Sequence, residues 1–507
     1  MFKGHPKGLI PAALANMGER FGFYVMMAIL VLFIQAKFGL DSENAGYIYG
    51  TFYALIYILN LVGGFIADKT RNYKGTILVG LSVMTLGYFL LAIPTEASSM
   101  NLVLACASLF VIAFGNGLFK GNLQALVGQM YDNNVYKDKR DSGFSIFYMF
   151  INVGAIFAPI FAIGVRNWWL ERNGFQYNPD LPALCHSYTN NTITGDAMAS
   201  LQNLANQVSG TTVTDMTQFV SEYLTVFSTG FHYAFATAIF ALLISIVVFL
   251  LNKKNFPDPK SKHAAASSDD IQMDVAEVKQ RLYALLAVFG VVIFFWFSFH
   301  QNGLTLTLFA RDYTDLSNLR LNLGIINIQG AELFQSINPF FVVFLTPILL
   351  GFFGWLRSKG IEPSTPRKIA IGMLIASLAF VVMALGSMNL PDFVDINPNV
   401  GGTPLDQAAK VTPFLLIGTY FILTVAELFI SPLGLSFVSK VAPPQYQGLM
   451  QGGWLGATAL GNQLLFLGGI FYQTIPMTAL WIIFAVACLI SMVTMLVMLK
   501  WLERIAK

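Results

Sequence analysis

LIPAALANMGERFGFYVMMAILVLF, residues 9–33, is an apolar run of membrane-spanning length that carries an acid and a base, Glu19 and Arg20, near its middle. A transmembrane helix needs about 20 mostly apolar residues, and a charge at the bilayer centre costs about 2.5 kcal/mol or more. Because neighbours on a helix point about 100° apart, we expect the two side chains to reach different partners. The stretch therefore predicts a retained first membrane helix, rather than a signal peptide, whose charges serve either an ion pair between helices or a polar cavity.

The composition of the whole chain is typical of a protein with many membrane spans. Of its 507 residues, 55% are hydrophobic and 11% are charged, whereas soluble domains carry about 25% charged residues. The net charge of +3 comes without a basic patch, which argues against nucleic-acid binding. The three cysteines are scattered, and no motif combines metal ligands or a nucleophile with a base. We therefore expect no metal, no cofactor and no enzymatic activity.

Twelve apolar segments predict an all-α integral membrane protein with both termini on the same side of the membrane. Lys and Arg residues concentrate in cytoplasmic loops. The termini and alternate loops hold 22 of the 30 Lys and Arg residues, and the opposite loops hold six. We therefore expect a multi-pass protein of the plasma (inner) membrane with cytoplasmic termini. The predicted spans are 11–35, 45–67, 75–93, 101–128, 144–165, 231–251, 282–309, 332–356, 368–388, 412–439, 447–473 and 476–500.

Two long polar segments interrupt the apolar pattern, and the second, 252–281, divides the chain into two halves of six helices each, which is the outline of a transporter built from parallel repeats. The first lies outside the membrane and is too long for a simple turn; its second part, from Asp196, is predicted to be helical. The predicted divisions are helices 1–5 in 1–165, an extracytoplasmic cap in 166–230, helix 6 in 231–251, a cytoplasmic linker in 252–281 and helices 7–12 in 282–507.

The remaining membrane charges are Lys120 in the first half and Glu427 in the second. Asn116, Lys120 and Gln124 share one helical face, and the nearby glycines allow close helix approach. The spacing of a phosphate-binding loop is absent. An isolated Glu427 either carries a proton or acts as counter-ion for a bound ammonium group. Positive groups in one half and a negative group in the other predict a cavity for a zwitterion.

Several motifs together resemble the proton-dependent oligopeptide transporter (POT) family of the major facilitator superfamily. NMGERFGFY (16–24) is similar to the family's E-x-x-E-R-F-x-x-Y motif, and FSIFYMFINVGAI (144–156) is similar to its helix-five signature. GGFIADKTRNYKG (63–75) resembles the superfamily motif of the cytoplasmic rim, with Asp68, Arg71 and Lys74. Further matches are FKGN (119–122), QSINPFF (335–341), ELFISPLGLSF (427–437) and QGGWLGATALGN (451–462).

The resemblance implies a major facilitator fold, with twelve transmembrane helices in two six-helix bundles around a central cavity. It implies proton-coupled symport of di- and tripeptides by alternating access, with protons as the coupling ion, lipid and short peptides as partners, and a monomeric protein. By the same resemblance, the peptide carboxylate would be bound by Arg20 and Lys120, and its amino terminus and backbone by Asn152, Asn338 and Glu427. The side-chain pockets would be shaped by Tyr24, Tyr57, Trp296 and Trp454. Protons would be taken up and released by Glu19, Arg20, Lys120 and Glu427.

Three departures from the family pattern bear on the proton mechanism. Asn16 stands where the family motif begins with Glu, Met27 replaces an arginine, and His300 replaces an acidic residue. Asn cannot take up a proton near neutral pH, whereas His titrates in that range. His300 is therefore either a replacement proton-coupling group or a hydrogen-bonding residue of the substrate pocket. The alternative function is a related carrier of another small organic solute or modified peptide, with weak or altered proton coupling.

Overall fold

The computed structural model describes residues 4–131, 134–136, 140–257, 274–317, 319, 321–322, 327–443 and 446–505. Its α-helices are α1 Leu9–Phe38, α2 Ser42–Thr70, α3 Tyr73–Ala92, α4 Ser99–Met130, α5 Arg140–Arg172, α6 Leu181–Thr189, α7 Gly195–Ser209, α8 Met216–Leu251, α9 Val275–Phe299, α10 Thr305–Asp312, α11 Ile337–Ser358, α12 Thr365–Gly386, α13 Phe393–Ile396, α14 Phe414–Val441, α15 Gln447–Gln463, α16 Phe466–Thr474 and α17 Met477–Ile505. Strands β1 (Leu321–Asn322) and β2 (Asn327–Ile328) pair antiparallel.

Over these ranges the structure has twelve helical stretches that are long and apolar enough to cross a membrane, which confirms the predicted number. Three spans combine more than one element. The seventh joins α9 and α10 through a 3-10 turn at His300–Gly303, the eighth begins with a 3-10 turn at Ala331–Ser336 before α11, and the eleventh joins α15 and α16. The breaks in the seventh and eighth spans fall close to predicted site residues.

The turn between α1 and α2 is set by a cap at each helix end. Asp41 accepts a hydrogen bond from the Asn44 backbone at 2.8 Å and thereby starts α2, because a side-chain oxygen can satisfy an otherwise unpaired N–H in the first helical turn. Gly39 ends α1 in the left-handed conformation, with φ of 64°. The link between the first two spans is therefore a tight turn that holds α1 and α2 in fixed relative positions.

The spans form two bundles of six. In the first half, α1 packs against α5 and α8, and α3 packs against α4; in the second half, α12 packs against α14 and α17. The bundles meet where α2 contacts α15 and α16, and where α5 contacts α11 and the 3-10 turn before it. Side chains on the facing surfaces of α2 and α5 in the first half, and of α11, α15 and α16 in the second half, therefore border the space between the halves.

The predicted boundaries of the outer segment are wrong at both ends. Helix α5 continues to Arg172 and α8 already begins at Met216, so the segment outside the spans is 173–215. The extra helical turns are polar but are covered by protein, since Arg166 and Asn167 are buried and Phe219 packs on Phe175. The polar residues at the end of α5 and the start of α8 therefore do not show where these helices end. The predicted helical second part of the segment is confirmed as α7.

We call residues 173–215, which include α6 and α7, the cap. The predicted linker 252–281 is only partly described, since 258–273 lie outside the described residues. Its last part is helical, because α9 begins at Val275 rather than at residue 282 as predicted. Pro257 and the charged residues before it correctly predict where the first half ends. The start of α9 was predicted as linker because its first residues are charged.

Glycines bring α2 and α4 into backbone contact, as the sequence predicts for part of the glycine-rich stretch. A Cβ placed on Gly63 would overlap the Gly117 carbonyl oxygen, and one on Gly117 would overlap the Leu59 carbonyl oxygen. Gly121 has no comparable contact, since a Cβ there would meet only Asn60, at 3.9 Å. The close approach fixes α4, and with it Lys120, against α2.

Gly63→Ala is expected to destabilise the protein by about 1–3 kcal/mol, because the added methyl group forces two backbones apart. The measurement is the thermal unfolding temperature of purified protein in detergent. Gly64→Ala is the matched control, since a Cβ there has open space and alanine favours helix. Equal unfolding temperatures for the two variants would contradict the assigned contact.

Candidate functional site

Glu19 and Arg20 form an ion pair with each other, contrary to the expectation that they reach different partners. The Arg20 Nε and Nη2 atoms donate to the two Glu19 carboxylate oxygens, each at 2.6 Å. The side chains leave the helix in different directions, but the long arginine curves back so that its planar fork meets both oxygens. Both residues are buried, at 1% and 4% exposure. Most of the positive charge of Arg20 is thus balanced within α1.

Further contacts hold this ion pair in place between α1 and α4. The Asn116 amide of α4 donates to Glu19, and the Arg20 guanidinium lies 4.5 Å from the centre of the Phe23 ring. Asn16, one turn earlier on α1, is buried, and its amide nitrogen has no hydrogen-bond partner among the described residues. The position at which the family has Glu is therefore occupied here by a buried amide with unused donor capacity.

Lys120 of α4 is the cation that lies next to this ion pair. Its Nζ lies 5.0 Å from the centre of the Tyr57 ring, and the side chain is partly accessible. Within the described part of the chain, no carboxylate lies within 4 Å of it. It interacts electrostatically with Arg20 and Glu19. The cation–π contact with Tyr57 directs the ammonium group but does not neutralise it.

Glu427 is the corresponding carboxylate of the second half. The Asn338 amide donates to its Oε2 atom at 2.8 Å and to the Thr424 hydroxyl at 3.0 Å, so that α11 and α14 position it together. Among the described residues, no lysine or arginine lies within 4 Å of Glu427. The carboxylate is therefore held by neutral groups and remains partly accessible.

Tyrosines of the first half bring these two charges to one shared space. Tyr24, Tyr57 and Tyr148 all lie close enough to Glu427 for electrostatic interaction, and Tyr24 and Tyr57 interact in the same way with Arg20. Tyr24 and Tyr57 are partly accessible. The space between the halves is thus bordered by a cation on one side, a carboxylate on the other and hydroxyl groups between them. This arrangement can bind a small molecule that carries both charges.

Tyr148 is a site residue that the sequence reasoning missed. It is 52% exposed, and its electrostatic partners are Glu427, Tyr24 and Tyr57. The predicted residue Asn152, one turn later, is buried and donates its amide to the Tyr148 backbone carbonyl at 3.1 Å. The available signal was the position of Tyr148 four residues before Asn152 in the helix-five motif, since residues i and i+4 share a helical face.

The predicted pocket tryptophans are buried in packing contacts. Trp454 is 3% exposed and packs against Phe289 and against the backbone of α14 at Gly434. Trp296 is 7% exposed and stacks on His300 with ring centres 4.7 Å apart. Neither side chain borders open space in this conformation, so their role in shaping side-chain pockets stays a prediction.

His300 lies at the seam between the halves. Its ring stands between Trp296 of its own span and Tyr53 of α2, whose ring centre is 4.6 Å away. Its Nδ1 atom is hydrogen-bonded to the Asn462 side chain of α15, and it begins the 3-10 turn of the seventh span. His300 therefore joins three spans at the 3-10 turn of the seventh, where it is enclosed by aromatic rings and interacts electrostatically with Lys120.

The predicted cytoplasmic motif lies at the turn between α2 and α3. Arg71 ends α2 in the left-handed conformation with φ of 53°, and Lys74 lies in the first turn of α3. Asn72 accepts a hydrogen bond from the Gly75 backbone at 2.9 Å and starts that helix. The Asp68 side chain lies outside the described part of the structure. The turn geometry agrees with the predicted location, and the gating role stays a prediction.

A second buried ion pair, also missed from sequence, joins the halves near the cap. Arg166 of α5 donates to Glu332 in the 3-10 turn of the eighth span, and both residues are buried. The neighbouring Asn167 amide donates to the Asn327 and Gln329 carbonyls at 2.8 and 3.0 Å. Arg166 was counted as a loop residue because it follows the apolar part of α5. The only sequence signal was a lone acid, Glu332, next to an apolar span.

Comparison with known proteins identifies the family. The sequence profile of the POT family matches residues 74–269 and 260–478. The chain belongs to the POT family. It is 28% identical to the uncharacterised transporter YclF of Bacillus subtilis (strain 168), over 91% of this chain and 87% of that protein. It is 29% identical to the peptide transporter YePEPT of Yersinia enterocolitica, over the same shares of the two chains.

Solved structures of POT proteins share the fold. A crystal structure of a mutant peptide transporter POT in complex with alafosfalin is 24% identical and matches with a TM-score of 0.72, over 100% of this chain and 96% of the other. A POT family transporter in complex with 5-aminolevulinic acid is 23% identical and matches with a TM-score of 0.71, over 100% and 98%. The predicted major facilitator fold is thereby confirmed for this POT-family chain.

In this POT protein, Arg20→Met is expected to lower the stability by about 3–5 kcal/mol, because it leaves the Glu19 carboxylate buried without its cation. The measurement is thermal unfolding in detergent. The double variant Glu19→Gln with Arg20→Met removes both charges and is expected to recover most of that loss. A double variant as unstable as the single one would show that side-chain packing, rather than charge pairing, explains the effect.

Proposed function

We propose that this protein is a secondary active transporter that moves di- and tripeptides together with protons by alternating access. The observation that carries the proposal is the pair of charges Lys120 and Glu427, one from each half, which have no ion-pair partner among the described residues, are partly accessible, and both lie near Tyr57. A short peptide is a zwitterion whose two ends match these charges. The name of the YePEPT relative supports peptides as substrates.

Lys120 is the main site for the peptide carboxylate in this proposal. Arg20 uses two of its nitrogen atoms on Glu19, so it contributes positive potential and at most its Nη1 atom. The peptide ammonium group binds to Glu427, while the Asn338 amide holds that carboxylate in one orientation. Tyr24 and Tyr57 supply hydroxyl groups between the two ends. Binding then bridges the halves, since each end of the substrate is held by a different bundle.

Proton coupling follows from the cost of a carboxylate without a counter-charge. A charge away from bulk water requires a nearby opposite charge or a proton. Glu427 has only neutral partners among the described residues when the site is empty, which favours protonation of its carboxylate. Arrival of a positive group, either a peptide ammonium or Lys120, allows the proton to leave. Proton release is thereby linked to the approach of the two halves.

The proposal also covers the oligomeric state of the protein, its membrane and its partners. It functions as a monomer in the plasma (inner) membrane, with both termini in the cytoplasm, with membrane lipid around it and without a nucleic-acid partner. In this proposal the proton is its only coupling ion, it needs no cofactor, and it acts as a carrier rather than as an enzyme. The distribution of Lys and Arg residues supports the orientation.

Glu427→Gln is expected to abolish uptake of labelled dialanine driven by an inward proton gradient, because Gln cannot exchange a proton. Counterflow of the same peptide without a gradient is expected to continue, since the amide still hydrogen-bonds the substrate. The measurement uses proteoliposomes. Glu362→Gln, which changes a carboxylate in the loop after α11, is the control. Normal gradient-driven uptake by Glu427→Gln would remove this residue from the proton path.

A second candidate function is the carriage of another small amino-carboxylate solute. The observation that favours it is that Lys120 and Glu427 recognise the two charges of a zwitterion and do not by themselves require a peptide bond. A thermal-shift screen of dipeptides, amino acids and organic acids separates the two functions. Stabilisation by dipeptides supports peptide transport, and stabilisation by single amino acids alone supports the second candidate.

His300→Asn is expected to leave the pH dependence of uptake unchanged and to alter the KM for peptides with different side chains. The reason is that the His300 ring is buried, at 5% exposure, and is enclosed by Tyr53 and Trp296 at the boundary between the halves. The measurement is dipeptide uptake in proteoliposomes between pH 5 and pH 8, about the range in which His titrates. A flattened profile would instead assign proton coupling to His300.

A further inference from the structure

The cap is joined firmly to the first half, from which it extends. Phe175 packs against Phe219 and Tyr223 of α8, and the His186 ring is hydrogen-bonded to the Ala36 carbonyl of α1 at 2.8 Å. Leu181, Leu184 and Cys185 of α6 are buried. The cap therefore moves with the first bundle when the two halves move relative to each other.

The same cap holds the second half through polar contacts. Asp180 forms an ion pair with Lys410 at 3.1 Å, and both side chains are at most 10% exposed. The Ser187 hydroxyl donates to the Pro398 carbonyl at 2.5 Å, and the Thr194 hydroxyl donates to the Gly401 carbonyl at 3.2 Å. All three partners lie in the segment between α12 and α14. The cap thus spans the boundary between the bundles at the end opposite the termini.

Below these contacts, the cap covers the buried ion pair between Arg166 and Glu332. The ring of Tyr177, a cap residue, lies with its centre 4.1 Å from the Arg166 guanidinium. Phe227 and Phe231 of α8 complete an aromatic enclosure, at 5.8 and 5.3 Å. An enclosure of this kind excludes water, and a lower effective dielectric strengthens the attraction between the charges. Lifting the cap would therefore weaken the ion pair underneath it.

A cavity of about 270 Å³ separates the cap from the span ends, and it is lined by all three parts of the molecule. Arg311 of the second half reaches across it to the Gln35 side chain of α1 at 2.5 Å. The cavity leaves room for the cap to move without first unpacking a solid core. The contacts that oppose movement are accordingly few, polar and located at the boundary between the halves.

We propose that the cap is a clamp, which holds the two halves closed at the end opposite the termini and must release the segment 387–413 before that end can open. Asp180 and Lys410 are its charged contact, Ser187 and Thr194 are its hydrogen-bonding contacts, and Tyr177 protects the Arg166–Glu332 ion pair. The proposal rests on the proposed function because alternating access supplies the motion that the clamp controls. Rigid-body closure around an interface of this kind exchanges one set of contacts for another.

The test measures the separation of the halves at the cap end. Met100 at the start of α4 and Met388 after α12 are 75% and 65% exposed, so Met100→Cys and Met388→Cys can carry spin labels for distance measurement in nanodiscs. Protein with only its native cysteines gives the labelling background. Asp180→Asn with Lys410→Met removes both charges of the clamp without leaving one of them unpaired. We expect the population with the longer distance to rise by about threefold or more.

The control variant is Glu277→Gln with Arg281→Gln, which removes an ion pair within α9 of the second half, at the opposite end. It is expected to leave the distance distribution unchanged. An unchanged distribution in the Asp180→Asn, Lys410→Met variant would overturn the clamp. If that variant does not fold, Ser187→Ala, which deletes one hydrogen bond, decides: a smaller shift to longer distances supports the clamp, and no shift overturns it.

Peptide uptake by the same proteins separates the two proposals. If the parent protein transports dialanine and the distances do not respond, the clamp is wrong and the proposed function stands. If the distances respond but no variant, including the parent, transports peptides, the clamp stands and the proposed function is wrong.

Discussion

The ion pair between Glu19 and Arg20 determines which charges remain for the site. Glu19, Arg20, Lys120 and Glu427 are charged side chains near the middle of the spans, and each must be paired or kept in contact with water. Because Arg20 turns back to the preceding residue and Asn116 adds a hydrogen bond to Glu19, the acid and the base of α1 largely cancel. Among these four, Lys120 and Glu427, one in each half, are the charges that have no ion-pair partner in the described part of the chain.

The positions of these two charges depend on how the spans are held. Lys120 is placed by the contact between α2 and α4, where the glycines at 63 and 117 let two backbones touch. Glu427 is placed by Asn338 of the neighbouring α11. The first constraint is steric and the second is a hydrogen bond, yet both act between helices of the same half. Each bundle can therefore move as a unit without disturbing its own charge, as alternating access requires.

The sequence predicted the spans well because membrane-length apolar runs have few alternative structures. It predicted the partners of charged residues poorly. The direction in which Glu19 and Arg20 leave the helix follows from helical geometry, but the flexible arginine side chain decides where its charge comes to lie. Arg166 was missed for a related reason: the turns of α5 around it are polar, and only the fold shows that the cap and the eighth span cover them. Tyr148 was missed although it shares a helical face with Asn152, because only the fold shows that this face lies near Glu427.

The charged residues between the two halves are paired at the cap end and unpaired near the middle of the spans, and this difference affects how the halves can move. At the cap end, Arg166 and Lys410 each have a carboxylate partner from the other half, whereas Lys120 and Glu427, nearer the middle of the spans, have none among the described residues. Paired charges resist separation, and unpaired charges of opposite sign attract each other or a zwitterion between them. A substrate that bridges the central charges would draw the bundles together there. If the halves close around the substrate near the middle of the spans, they must open at the cap end, and the paired charges there resist this opening.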